Sequence, residues 1–193
     1  MNGRDPFELF REWFVAAEAS GLELPEAMTL ATASADGTPS ARTVLLKGVD
    51  DRGFAFFTNY GSRKGRELAE NPRAALVFHW AQEPRRQVLV TGTVTRLPEP
   101  ESDEYFGTRP LGSRLAAWAS RQSSPLARRE ELDSAFAEAE ARHGDDPPRP
   151  PFWGGYVLDP ETIEFWESRP NRLHERIRFT RAADGWKAEH LAP

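Results

Sequence analysis

The chain of 193 residues contains no cysteine. Disulfides, thiolate metal ligands and a cysteine nucleophile are therefore excluded. Lysine is scarce as well: Lys47, Lys64 and Lys187 stand beside 22 arginines. Where arginine is the habitual cation, a retained lysine suits a site that needs a compact point charge. No stretch approaches 18 uncharged apolar residues, so no membrane span is expected. The opening Met1-Asn2-Gly3-Arg4-Asp5-Pro6 lacks the basic and then apolar regions of a secretory signal. A cytoplasmic globule is the expectation. The four histidines (His79, His143, His174, His190) show no paired spacing, which leaves zinc without a ligand set. Neither a Gly-x-Gly-x-x-Gly nor a Gly-x-Ser-x-Gly occurs, which removes support for a dinucleotide fold and for a serine hydrolase.

At this length one domain over residues 1–193 is expected, able to bury about 70% of its unfolded surface. The net charge of −5 argues against a general nucleic-acid binder. The charge is unevenly placed. Residues 42–129 hold 15 basic and 9 acidic side chains, while the remainder holds 10 and 21. A cationic middle fits a local anionic ligand, and helix charge patterning at the two ends would also produce it.

Asp5-Pro6-Phe7-Glu8 has the order of an N-cap, a first-turn proline and a capping-box acid. Phe10, Trp13, Phe14 and Ala17 follow at helical spacing, and Gly21 can close the helix. Strands are predicted over 28–33 and 40–49 around the Asp36-Gly37 turn, then over 54–59. A short helix begins after Ser62 and stops at Asn71-Pro72. Two long strands are predicted over 74–80 and 87–97. Helices broken near Pro110 and Pro125 follow over 99–143, and the proline-rich stretch 145–151 is read as a loop. Short strands over 155–158, 162–166, 173–180 and near 186–190 complete the chain. About eight strands at hairpin spacing predict an α+β fold, an antiparallel barrel with helices packed outside it.

Four segments carry candidate chemistry. In Thr58-Asn59-Tyr60-Gly61-Ser62-Arg63-Lys64 two cations open a helix, where the macrodipole opposes them unless an anion lies nearby. In Arg172-Leu173-His174-Glu175-Arg176-Ile177-Arg178-Phe179 strand parity puts Arg172, His174, Arg176 and Arg178 on one face. Such a row suits an anion, or a solvated edge strand guarded by charge. Arg42 and Lys47 lie five residues apart, so a regular strand would point them to opposite faces; a bulge or a two-ended ligand resolves this. The fourth segment, Trp118 to Ser124, sets polar groups behind an aromatic at a helix end.

Taken in order, Arg42-x-Val44-Leu45-Leu46-Lys47, Phe57-Thr58-Asn59-x-Gly61-Ser62-Arg63-Lys64, Arg86-Gln87, Tyr105-Phe106-x-x-Arg109-Pro110, Gln122-Ser123-Ser124, Phe152-Trp153-Gly154-Gly155, Glu164-Phe165-Trp166 and Arg172-Leu173-His174 resemble the pyridoxine/pyridoxamine 5′-phosphate oxidase family. The resemblance runs from the first helix to Leu191-Ala192-Pro193. It implies a homodimeric split β-barrel with FMN at the subunit interface. The implied FMN contacts are Arg42, Thr43, Val44, Leu45, Leu46, Lys47, Phe57, Thr58, Arg63, Lys64, Gln87, Gln122, Ser123, Trp166 and Arg176. Lys47, Tyr105, Arg109 and Ser113 would hold the phosphate of a phosphorylated pyridine, with Arg172 and His174 beside its ring as the catalytic pair. The implied reaction is hydride transfer from the substrate C4′ to the flavin, with O2 as final acceptor and H2O2 as product. A relative that acts on another small aromatic, as in phenazine biosynthesis, and a non-catalytic flavin module are the alternatives. Two departures from the family bear on how the substrate is covered: about five residues precede the first helix, and Leu24 stands where an acidic residue is common.

Overall fold

A computed structural model describes residues 4–193. Helix α1 (Pro6–Ala19) opens as its sequence dictates: the Asp5 carboxylate accepts the Phe7 amide at 2.6 Å. Its buried stripe of Phe7, Phe10, Trp13 and Ala17 lies on the sheet. Phe10 meets Phe54 and Phe78 edge-on at 4.9 and 5.0 Å, and Trp13 meets Phe165 at 5.1 Å.

Among the described residues nine antiparallel strands form one curled sheet: β1 (Ala27–Ala33), β2 (Pro39–Leu45), β3 (Gly48–Asp50), β4 (Gly53–Asn59), β5 (Arg73–Trp80), β6 (Arg86–Arg96), β7 (Trp153–Glu167), β8 (Glu175–Ala182) and β9 (Gly185–His190). The order is β2-β1-β5-β6-β7-β4-β3, with β8 also on β7 and β9 on β8. Four further helices lie outside it: α2 (Arg63–Glu70), α3 (Glu99–Thr108), α4 (Leu111–Ala119) and α5 (Glu130–His143). The α+β class and the antiparallel sheet with helices outside it, expected from the strand spacing, are observed, and the sheet curls into a half-barrel.

Among the strand boundaries that differ from those predicted, two reshape the sheet around the site. The predicted strand over 40–49 breaks at Leu46-Lys47. There the Leu46 amide donates to Glu26 O at 2.9 Å and the Lys47 amide to Ala55 O at 2.8 Å. Those two residues join the opposite ends of the strand order and curl the sheet on itself. The strands predicted over 155–158 and 162–166 are one strand of 15 residues, β7. Asp159-Pro160-Glu161 has turn composition but forms a bulge: Gly92 faces Pro160, Thr91 faces Thr162, and Glu161 is left over. A side chain at Gly92 would put its Cβ 2.0 Å from Asp159 O, so this crossing needs glycine. Because β7 is long, one of its edges carries β6 while the other carries β4 and then β8.

The loop 145–151 is pinned to the helices. Arg114 pairs with Asp146 at 2.8 Å, Trp118 Nε1 donates to Pro148 O at 2.7 Å, and Arg149 pairs with Asp103 at 2.6 Å.

Candidate active site

The break after β2 turns Lys47 into a cavity of about 410 Å³. Thr43, Val44 and Leu45 line it from β2, Phe57 and Thr58 from β4, and Lys64 from α2. Tyr105, Arg109, Pro110 and Ser113 close it from the junction of α3 and α4, with Gln122 and Trp153 completing the wall. Three of these side chains are cations and none is a carboxylate. Such a wall carries the sign of charge that attracts an anion.

Two of the cations are fixed by their local structure. Ser62 caps α2 by accepting the Gly65 amide at 3.2 Å. A Cβ on Gly65 would fall 2.2 Å from Tyr60 O, so glycine lets the first turn lie against that backbone. Lys64 is thereby buried, and its Nζ donates to Gln122 Oε1 at 3.1 Å and to Thr58 Oγ1 at 3.2 Å. Its hydrogen-bond partners among the described residues are all neutral. Burial, reinforced by the charge of Arg42 and opposed by Glu67, pulls its pKa down to about 8.

Arg109 stands where Pro110 separates α3 from α4. Its guanidinium lies 4.6 Å from the Trp153 ring centroid, and its Nη1 is buried without a hydrogen-bond partner among the described residues. Burial lowers its pKa, and Tyr105 opposes that shift. A buried guanidinium donor with no acceptor calls for a ligand oxygen. Tyr105 stacks on Phe57 at 4.0 Å, which holds its phenol at the cavity wall. Lys47 is only loosely paired, 4.0 Å from Glu26.

Glu67 is a residue the sequence reading missed. Its buried carboxylate accepts from Thr32, from Ser40 at 2.6 Å, from Arg63 at 2.8 Å and from Arg42 at 3.3 Å. Burial alone would raise its pKa; those hydrogen bonds overcome this and hold it at about 2. The signal available was the Arg63–Glu67 spacing of four on a helix, while the strand partners could not be read locally. Arg63 therefore already has a counter-ion, which leaves Lys64 as the helix-opening cation in need of one.

The remaining expected residues do not line this cavity within one protomer. Gln87, Trp166 and Arg176 form a row across β6, β7 and β8, paired in register. The His174 ring lies 4.6 Å from that of Trp166. Arg172 and His174 are not on the strand the sequence predicted; they precede β8 in a turn where Asn171 and Arg172 have φ of 58° and 62°. Strand alternation groups only Arg176 and Arg178, which lie within β8. The cations it grouped are also answered internally, Arg176 by Glu164 and Arg178 by Glu189, each at 2.7 Å. Leu46 is buried in the core, and Ser123 takes a φ of 70° in the loop beyond Gln122. Leu24 is exposed beside the turn into β1. Among the described residues no helix is long and apolar enough to cross a membrane, and no acidic or histidine cluster could hold a metal ion.

Residues 15–143 match the profile described as pyridoxamine 5′-phosphate oxidase, and residues 153–193 match the pyridoxine 5′-phosphate oxidase C-terminal dimerisation region. The chain belongs to the pyridoxamine 5′-phosphate oxidase family. It is 58% identical to the pyridoxine/pyridoxamine 5′-phosphate oxidase of Rubrobacter xylanophilus over 98% of this chain and 87% of that one. The enzyme of the same name from Cupriavidus taiwanensis is 55% identical over 98% and 89%. Among solved structures, PhzG from Burkholderia lata 383, bound to tetrahydrophenazine-1-carboxylic acid, superposes with a TM-score of 0.94 at 36% identity, covering 100% of this chain and 94% of that one. An FMN-binding, pyridoxamine 5′-phosphate oxidase-related protein from Nostoc punctiforme gives 0.81 at 20% identity over 99% and 100%, a likeness of fold. The curled sheet is thus the split barrel of this family.

Proposed function

We propose that the protein is an FMN-dependent oxidase that converts pyridoxamine 5′-phosphate and pyridoxine 5′-phosphate to pyridoxal 5′-phosphate. The observation that carries this reading is the cavity wall: Lys47, Lys64 and Arg109 without a carboxylate, and a buried Arg109 Nη1 without an acceptor. Family membership supplies the chemistry that such a wall would serve. When bound, FMN provides a hydride acceptor that O2 regenerates with release of H2O2.

The protein's own part is placement and charge. Lys64, Thr58 and Gln122 present donors for the FMN phosphate side, with Arg42 and Arg63 braced behind them by Glu67. Lys47, Tyr105, Arg109 and Ser113 hold the substrate phosphate at the other wall. Charge-assisted hydrogen bonds of this kind are worth about 1.5–3 kcal/mol each. A substrate held at its phosphate presents its ring and C4′ at a fixed depth, which is the main contribution a protein makes to such a transfer. Purified protein should be yellow and should consume O2 when pyridoxamine 5′-phosphate is added under air, with pyridoxal 5′-phosphate appearing at an equal rate. A colourless protein that takes up no FMN, or a flavoprotein inert toward both B6 phosphates, overturns the reading.

The working unit in this proposal is a homodimer with each FMN shared between subunits. Gln87, Trp166, Arg172, His174 and Arg176 are family-matched positions that do not line the cavity of their own protomer, and the last four fall in the dimerisation region. Leu173, flanked by Arg172 and His174, is 69% exposed, an apolar side chain that a second subunit would cover. Light scattering with flavin quantification should give a dimer carrying one FMN per chain. A monomer that retains stoichiometric FMN would refute the shared site.

A further inference from the structure

The turn that carries Arg172 and His174 is held at its base. Its tip has two consecutive non-glycine residues at positive φ, Asn171 and Arg172, followed by the exposed Leu173. Backbone of this kind persists only where its surroundings over-determine it. Glu167 ends β7 and Glu175 opens β8, and the two face each other directly across the strands. Opposed carboxylates at such a position repel and would splay the hairpin where the turn begins. Arg169 answers both: its Nη2 lies 2.8 Å from Glu167 Oε1 and 2.8 Å from Glu175 Oε2. Arg86, in register with Glu167, pairs with its other oxygen at 2.9 Å and packs 4.5 Å over the Trp13 ring.

The backbone of the same residue does a second thing. The Arg169 amide donates to His174 Nδ1 at 3.2 Å. An amide N–H can only donate, so Nδ1 accepts and the ring proton stands on Nε2. Strand alternation sets Arg86, Glu167 and Glu175 on the face opposite Gln87, Trp166 and Arg176. Arg169 thus grips the hairpin from behind the row where the substrate is proposed to lie.

We infer that Arg169 is a positioning residue for the oxidase reaction: its guanidinium clamps Glu167 to Glu175, and its amide fixes His174 as an Nε2–H donor. The inference rests on the proposed role of Arg172 and His174 at the substrate. Misplacement of a reacting partner by about 1 Å costs up to about 100-fold in rate. In the FMN-loaded protein, Arg169→Met should lower kcat/KM for pyridoxamine 5′-phosphate about 10- to 100-fold, while flavin content and Tm stay near wild type. Arg169→Lys should recover part of the loss. Arg169→Met combined with Glu175→Gln should recover more than additivity allows, because one of the opposed charges is gone.

Imidazole ¹⁵N spectra, with the His174 signals assigned from a His174→Ala sample, give a readout independent of turnover. Wild type should show an unprotonated Nδ1 and a protonated Nε2, and Arg169→Met should lose that distinction. The inference is overturned by unchanged kcat/KM in Arg169→Met, by lost flavin or Tm with unchanged turnover per flavin, or by a protonated Nδ1 in wild type. If His174→Ala turns over normally, the substrate-site reading fails instead, and the ¹⁵N spectra still decide whether Arg169 sets the ring.

Discussion

Lys64→Met is expected to weaken FMN binding about 10- to 100-fold, the loss of one charge-assisted phosphate contact, while the ligand-free fold is at least as stable as wild type. The stability half of this follows from burial. Lys64 Nζ sits among Thr58, Ser62 and Gln122 with no carboxylate, so its charge costs the empty protein something that methionine does not. The pH dependence has a definite sign. The folded pKa of about 8 lies below the ordinary 10.5. Between those values the unfolded chain binds more protons, so this group makes ligand-free stability rise with pH across that window. FMN binding runs the other way. A phosphate stabilises the charged amine, so above pH 8 binding must take up a proton and wild-type affinity falls; in Lys64→Met that part of the fall disappears. Flavin fluorescence titrations at pH 6.5, 7.5 and 9 on both proteins measure it, and equal dissociation constants would remove Lys64 from the phosphate site. Arg63→Ala is the internal comparison. That side chain is 56% exposed and already paired with Glu67, so its loss should weaken FMN by less than the Lys64 change.

His174→Ala is expected to retain FMN and nearly all of its melting temperature while turnover falls about 100-fold. Arg172→Ala should raise KM and lower kcat together, because a group that positions the reacting carbon serves the ground state and the transition state alike. Neither residue fills the core: they occupy the turn before β8, and the apolar residue between them faces outward. The competing role for His174 is packing against Trp166 at 4.6 Å. Flavin content, melting temperature and oxidase rate measured on the same sample separate the two. Lost flavin or a large fall in Tm, with turnover per bound flavin unchanged, would make His174 a structural residue.

Local rules carried much of the fold. The Asp5 cap, the Phe10, Trp13 and Ala17 stripe, the Ser62 cap and the helix break at Pro110 each depend on residues within a turn or two of one another, and all are observed; the break expected near Pro125 spans residues 120–129. They failed where a distant partner overrode a local preference, and where a local break interrupted strand-like alternation. Asp159-Pro160-Glu161 has turn composition, yet β6 runs alongside it and Gly92 gives room for a bulge. Arg172 and His174 have strand-like alternation with Arg176, but Pro170 and the positive φ of Asn171 and Arg172 keep them off the strand.

By itself the sequence determined the α+β class, the antiparallel pairing and the family, and it offered the cationic residue types of the proposed anion site, because caps, periodicity and motif order are short-range or ordered along the chain. Tertiary structure alone decided which cation is free. Arg63 and Lys64 are neighbours in sequence, but Glu67, held on α2 by Thr32, Ser40 and Arg42 from β1 and β2, pairs with Arg63, while burial beside Thr58 and Gln122 leaves Lys64 without an ion-pair partner among the described residues. Pairing of charges depends on distances across the fold, and a linear chain does not contain them.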